Sequence, residues 1–128
     1  MEYGTRMHYI LENIDFNNPD YSNINDYEKD LVENLLNNKI FFDLKNSKIY
    51  KEYEFIYEDG NDSKTGIIDL MIEHNSYIDI VDYKLKNTND DAYIKQLNGY
   101  KKYIENKTNK KVNIYLYSLI EKTLVQLS

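Results

Sequence analysis

Residues 65–84 read TGIIDLMIEHNSYIDIVDYK, two apolar runs separated by a short polar segment. Isoleucine, leucine, valine and tyrosine dominate both runs, a composition typical of β-strands. The segment between them predicts a hairpin with a two-residue turn at Asn75-Ser76, because asparagine tolerates positive φ. We therefore expect antiparallel strands over residues 65–73 and 77–84.

The predicted turn also sets the register of the hairpin. It pairs His74 with Tyr77, and the same pairing continued along the strands places Asp69 opposite Asp82. Opposed residues of an antiparallel pair have Cβ atoms about 5 Å apart. Two carboxylates at that distance repel each other unless a cation lies between them, and Mg²⁺ prefers carboxylate oxygens and water as ligands. The register therefore predicts a divalent-metal site.

A lysine accompanies this pair of acids. Lys84 follows Asp82 by two positions, so both side chains point to the same face of the strand. Its ammonium could orient an attacking water or offset charge on a phosphate. The alternative is structural: Lys84 would then only bridge the two aspartates at the sheet edge. Apolar residues flank Asp69, Asp82 and Lys84 on both strands. Charged side chains at otherwise buried positions of a sheet are typical of a functional site, so we expect the site here.

Periodicity elsewhere in the chain predicts an α/β fold in which a mixed central sheet is flanked by helices. We expect one domain over residues 1–128, with a polar turn at Asp59–Lys64 and an exposed His74. The predicted helices cover residues 4–13, 25–38 (capped by Asn25) and 91–106, and the further strands cover residues 48–58, 111–118 and 123–127.

Composition narrows the classes of function. The 128 residues include no cysteine, which excludes zinc–thiolate and cysteine-ligated iron–sulfur sites. No apolar run approaches the length of a membrane helix, so we expect a soluble, cytoplasmic protein. The net charge of −6 argues against a nonspecific polyanion binder. The second half nevertheless carries lysines that form either a solvated helix face or a nucleic-acid contact: Lys95, Lys101, Lys102, Lys107, Lys110 and Lys111.

Several motifs together resemble a known family. The pattern GIIDL at 66–70, followed after eleven residues by DYK at 82–84, resembles the PD-(D/E)XK nuclease superfamily. More narrowly, the chain resembles the RecB/AddA-type nuclease domain of bacterial helicase–nucleases. Three more motifs and a closing strand match in order along the chain: GTRMH (4–8), KEYEF (51–55), QLNGY (96–100) and the strand 114–118.

This resemblance implies a restriction-endonuclease-like core and a role for particular residues. The implied ligands of Mg²⁺ or Mn²⁺ are His8, Asp69, Asp82 and the backbone carbonyl of Tyr83. The implied catalytic residues are Asp69, Asp82, Lys84, Gln96, Tyr100 and Glu52. For the supporting acid, Glu52 is favoured by its place in the motif, although Glu54 is expected on the same strand face. For Tyr100, packing in the core is an explanation almost as good as catalysis.

The implied activity is metal-dependent hydrolysis of DNA, by exonuclease or endonuclease action, in DNA repair and recombination. The chain contains no GxxxxGK[ST] phosphate loop, so the resemblance implies a helicase domain or subunit outside it as a partner. Two departures from the family pattern are Leu85-Lys86 after the lysine and Glu54 at a proline position. Two alternatives remain open: a catalytically silent docking module in a helicase complex, and a stand-alone endonuclease of the same superfamily.

Overall fold

The computed structural model describes residues 3–85 and 91–128 and has a mixed α/β fold, as the periodicity predicts. Two short 3₁₀ turns, Lys39–Phe41 and Leu44–Asn46, connect the second helix to the sheet. The helices are α1 (Tyr3–Asn13), α2 (Asp26–Leu36) and α3 (Asp91–Thr108), and the strands are β1 (Lys48–Asp59), β2 (Asp62–Glu73), β3 (Tyr77–Lys84), β4 (Lys111–Ser118) and β5 (Thr123–Gln126).

The five strands form one sheet in the order β1-β2-β3-β4-β5. Neighbouring strands are antiparallel except β3 and β4, which are parallel. A parallel pair needs a crossover connection, and the chain between β3 and β4 contains α3. No helix within residues 3–85 and 91–128 has the length and apolar character needed to cross a membrane.

The predicted register of the β2–β3 hairpin is confirmed. The backbone N–H of His74 donates to the carbonyl of Tyr77 at 2.9 Å, which closes the turn at Asn75-Ser76. The ladder then pairs Glu73 with Ile78 and continues to Leu70 and Val81. The next position in this register brings Asp69 beside Asp82.

The sheet has an apolar core on each face. One core contains residues of α1 and α2, among them Met7 and Leu35, together with Leu70 and Ile72 of β2. The other contains Leu97 and Ile104 of α3. Each helix is thus held by an apolar stripe, and the two faces of the sheet are covered by different helices.

Strands β1 and β2 exchange faces at one level of the sheet. Tyr50 and Tyr53 both pack into the α3 core although they are three positions apart, which regular alternation forbids. On β2, Ile68 and Met71 do the same. Both exchanges occur where the ladder skips a pair: Lys51 pairs with Leu70 and Tyr53 with Ile68, whereas Glu52 and Asp69 are not paired.

The β1–β2 hairpin is longer than predicted. The expected polar turn at Asp59–Lys64 is wrong, because the turn is only Gly60-Asn61 and β2 begins at Asp62. Gly60 has a φ of +66°, a conformation that glycine adopts without strain. Asp62, Ser63 and Lys64 are exposed, so this end of β2 has the polar composition of a loop.

The predicted cap of α2 is confirmed and also fastens α1. The side chain of Asn25 accepts from the backbone of Glu28 at 2.8 Å, and the carboxylate of Glu28 accepts in return from the backbone of Asn25. Glu28 is buried and also accepts two hydrogen bonds from the guanidinium of Arg6 on α1. The Arg6 guanidinium holds the pKa of this carboxyl below its usual range.

We expect Glu28→Ala to lower the free energy of unfolding by about 2–4 kcal/mol, because it leaves a buried cap and the Arg6 guanidinium without their acceptor. Urea unfolding measures the change. Glu33→Ala, at an exposed position of the same helix, is the matched control and should change stability by less than about 0.5 kcal/mol. Equal losses in the two variants would contradict the assigned role of Glu28.

Candidate metal centre

Three carboxylates form a row across adjacent strands, namely Glu52 of β1, Asp69 of β2 and Asp82 of β3. The ladder pairs on either side place Glu52 opposite Asp69, and the β2–β3 register places Asp69 opposite Asp82. Besides burial, the negative charge of Asp69 raises the pKa of Asp82, as expected of two neighbouring carboxyl groups. The cross-strand pair expected from the sequence is therefore present, and a third acid extends it.

His8 reaches this row from α1. The preceding residue, Met7, points into the core and is fully buried. His8 therefore points to the side of the helix and is half-buried. Its Nδ1 lies 3.4 Å from Oδ1 of Asp69 and 4.0 Å from Oε1 of Glu52. One ligand atom from each of these three residues falls within 4.8 Å of the others. The group has the spacing needed to hold a metal ion.

Glu52 owes its place to an unusual backbone conformation. Its φ is +49°, in the left-handed region that costs a non-glycine residue about 1–2 kcal/mol. Such strain is found most often at functional sites. The structure separates the two candidate supporting acids by their surroundings. Glu52 joins His8 and Asp69, whereas Glu54 is exposed.

Without a metal ion, Glu52 and Asp82 of this row bind protons more tightly than usual, so their pKa values are raised. Burial, and secondly the charge of Asp69, raise the pKa of Asp82 to about 8. Burial also raises the pKa of Glu52, followed by repulsion from Asp69. The pKa of His8 is raised mainly by its hydrogen bond to Asp69. Each shift reflects the same excess of negative charge in a partly desolvated place.

A divalent cation fits this donor set. The two carboxylates are ligands that suit Mg²⁺ and Mn²⁺, and the neutral imidazole of His8 can complete the set. In addition, Oδ2 of Asp82 is buried and finds no hydrogen-bond partner among residues 3–85 and 91–128. An unsatisfied buried carboxylate oxygen is costly, and a cation or its water ligand would satisfy it.

Lys84 extends from β3 to the row. Its Nζ lies 3.9 Å from Oδ2 of Asp82 and 4.1 Å from the ring centroid of Tyr93 on α3. A cation over a tyrosine face is attracted by the ring quadrupole, so strand and helix together position the amine. Tyr93 was not among the site residues predicted from the sequence. Its spacing, one turn before Gln96, was the available signal.

The other residues taken from the resemblance lie in different surroundings. The backbone N–H of Tyr83 donates to Oδ2 of Asp69 at 2.9 Å, so Tyr83 does border the acids. Tyr100 is buried, with its ring 5.1 Å from that of Phe55, which is a core contact. Gln96 is exposed and lies in the wall of a groove between α3 and the β1–β2 hairpin.

The expectation of an exposed His74 is wrong. This side chain is 7% exposed, and its ring stacks on Tyr77 with centroids 4.3 Å apart. Its Nε2 lies 3.4 Å from Oδ2 of the buried Asp79. The hairpin end is covered because the ring of Phe42 stacks 5.7 Å from that of His74. The pair of His74 and Asp79 lies nearer the turn of the β2–β3 hairpin than the carboxylate row does.

No family model matches the chain, which nevertheless has a partial likeness to a known protein. Over 82 residues the chain is 37% identical to an ATP-dependent helicase/nuclease subunit from Clostridium acetobutylicum. The matched part is 58% of this chain and 6% of that protein. The chain therefore spans a small part of this relative's length.

We expect the metal-free protein to lose stability as the pH rises from about 4 to about 8. Over this range folded Asp82 keeps a proton that the unfolded chain releases, so folding becomes less favourable by a few kcal/mol. His8 and Glu52, whose pKa values are also raised, act in the same direction. Urea unfolding in EDTA at several pH values measures the slope.

Asp82→Asn should flatten this slope, whereas Asp62→Asn, at an exposed position, should leave it unchanged. Saturating Mg²⁺ or Mn²⁺ should also flatten it, because a cation replaces the bound proton. A slope unaffected by both Asp82→Asn and metal would contradict the assignment of the proton to this row.

Proposed function

We propose that this chain is a metal-dependent deoxyribonuclease that hydrolyses DNA phosphodiester bonds. The observation that carries the proposal is the row of Glu52, Asp69 and Asp82, with His8 on one side and Lys84 on the other. Partial similarity to a protein named as a helicase/nuclease subunit supports the same activity. A nuclease of this kind belongs to the PD-(D/E)XK type, with a restriction-endonuclease-like core.

The residues that would hold the ion are His8, Glu52 and Asp69, with Asp82 and the Tyr83 carbonyl completing its surroundings. Bound there, Mg²⁺ or Mn²⁺ supplies a water of lowered pKa and positive charge for the phosphate in the transition state. Asp69 is oriented by the backbone N–H of Tyr83, which leaves its Oδ1 facing His8. The ligands are thus held by two strands and a helix.

Lys84 would act on the substrate side of the site. Its ammonium lies close to Asp82. There it could hydrogen-bond to a water bound by the metal and hold that water for attack on phosphorus. As the bond to the leaving oxygen breaks, the fixed positive charge offsets the charge that develops on the phosphate. Gln96 is exposed in the groove beside α3 and would contact the DNA strand rather than the ion.

The setting that we propose is a cytoplasmic helicase–nuclease of DNA repair and recombination. The relative's name joins both activities in one protein, whereas this chain has no phosphate loop of its own. A motor domain or subunit outside the chain would deliver the DNA. Delivery by a motor also fits the acidic net charge of −6, which gives little unaided attraction to DNA.

The activity is tested with linear and closed circular DNA, single- and double-stranded, in Mg²⁺, Mn²⁺ and EDTA. We expect cleavage that requires metal and falls at least about a hundredfold in Glu52→Gln, Asp69→Asn and Lys84→Ala. Glu54→Gln is the matched control, since it makes the same change two positions away at an exposed site. Calorimetry with Mn²⁺ measures metal binding in parallel.

The outcomes separate the candidate functions. Cleavage that persists in EDTA or in Asp69→Asn would disprove the metal mechanism. Cutting of closed circles would identify endonuclease action, as expected of a stand-alone enzyme. If neither cleavage nor Mn²⁺ binding is found, the chain is a docking module and the proposal is wrong.

The contact between Lys84 and Tyr93 gives a further prediction. We expect Tyr93→Leu to lower kcat about tenfold, because the amine loses the ring that positions it. Tyr93→Phe keeps the ring and should retain most of the activity. Tyr27→Leu, at an exposed tyrosine of α2, is the control. Equal losses in Tyr93→Leu and Tyr93→Phe would contradict a role for the ring.

A further inference from the structure

An open groove of about 1080 Å³ runs between α3 and the outer half of the β1–β2 hairpin. We propose that this groove holds one strand of DNA next to the metal centre, an inference that rests on the proposed nuclease function. Its walls include three tyrosines, three lysines and a glycine: Tyr57, Tyr93, Tyr103, Lys64, Lys95, Lys102 and Gly99.

The groove reaches the metal centre through Tyr93. This residue lines the groove, and the Nζ of Lys84 lies 4.1 Å from its ring centroid. Lys84 in turn lies 3.9 Å from Asp82. A strand lying along α3 would therefore meet the row of acids at one end of the groove, with Gln96 beside it.

The aromatic wall is rigid enough to serve as a stacking surface. The ring of Tyr103 stacks on Phe55 with centroids 4.6 Å apart and planes 19° apart, and the ring of Tyr57 lies 5.7 Å from Phe55 on another side. Phe55 lies over Gly66, where an added Cβ would come within 2.4 Å of the ring. Half-buried tyrosines fixed in this way suit base stacking, which single-strand binding proteins use without sequence preference.

The charges of the groove are locally more positive than those of the chain. Lys64, Lys95 and Lys102 face two acids, Glu58 and Asp59, whereas the chain carries a net charge of −6. Lys64 pairs with Asp59 at 2.6 Å, and both groups are exposed and able to exchange partners. Lysines beside aromatic faces match a phosphate backbone with its bases.

Gly99 leaves the backbone of α3 open toward the groove. It lies in the interior of α3, where glycine lowers helix stability relative to alanine. A Cβ at this position would meet nothing within 4 Å, so packing within the described chain does not require glycine. Because Gly99 lines the groove, its missing side chain would let a bound strand approach the helix backbone.

The dimensions favour one strand over a duplex. A volume of about 1080 Å³ is slightly above the roughly 300–1,000 Å³ found for small-molecule pockets. Such a space admits a few nucleotides in an extended strand. A duplex would need a broad surface, and its paired bases would not reach the tyrosine faces.

Fluorescence anisotropy with a short fluorescein-labelled oligothymidylate in EDTA tests the groove without any cleavage. We expect Gly99→Leu to weaken binding at least about tenfold while raising the melting temperature, because leucine is the better helix former. The matched control is Asn98→Leu, the same residue introduced at the adjacent exposed position outside the groove. Tyr103→Ser, measured beside them, should also lose about tenfold in binding.

The results distinguish this inference from the proposed function. If binding of the single strand depends on Gly99, the proposed role of the groove is supported even if the chain cuts no DNA. A lack of cleavage would disprove only the proposed nuclease activity. Cleavage in Mg²⁺ together with equal binding by wild type, Gly99→Leu and Tyr103→Ser would overturn the groove and leave the nuclease standing. Tighter binding of a hairpin duplex than of the single strand would also overturn it.

Discussion

The repulsion among Glu52, Asp69 and Asp82 is the constraint on which the rest of the molecule depends. Hydrogen-bonded strands hold their opposed residues at a fixed spacing, so the sheet cannot separate these charges by moving one of them. The surroundings must supply positive charge or protons instead. His8 and Lys84 supply part of it from two sides, and a divalent ion would supply the remainder.

Because β1 and β2 exchange faces at this level, the row is accessible to helices from both layers. The imidazole of His8 comes from α1 on one face, and Tyr93 of α3 approaches on the other. A regular sheet would send alternate side chains away from each layer. The strained backbone of Glu52 is therefore part of how two separate cores meet at one site.

Much of this could be predicted from the sequence, because local rules apply to the β2–β3 hairpin. Its turn at Asn75-Ser76 fixes every later pair, and so the neighbouring positions of Asp69 and Asp82 followed. The choice between Glu52 and Glu54 could not be made from the residues alone, because it depends on a positive φ at Glu52 and on the distant His8. The burial of His74 depends on Phe42, which is distant in sequence. Such long-range contacts leave no periodic signal.

β1 and β2 keep one antiparallel register on both sides of the row, so the length of this hairpin can vary independently of the site. Beyond Tyr53 and Ile68 the two strands run in register to a two-residue turn at Gly60-Asn61. Residues inserted or deleted there in opposed pairs would lengthen or shorten the projecting arm without shifting any of the acids. The reach of the protein toward a bound molecule can therefore change during evolution, or in design, while the chemistry at its base stays intact.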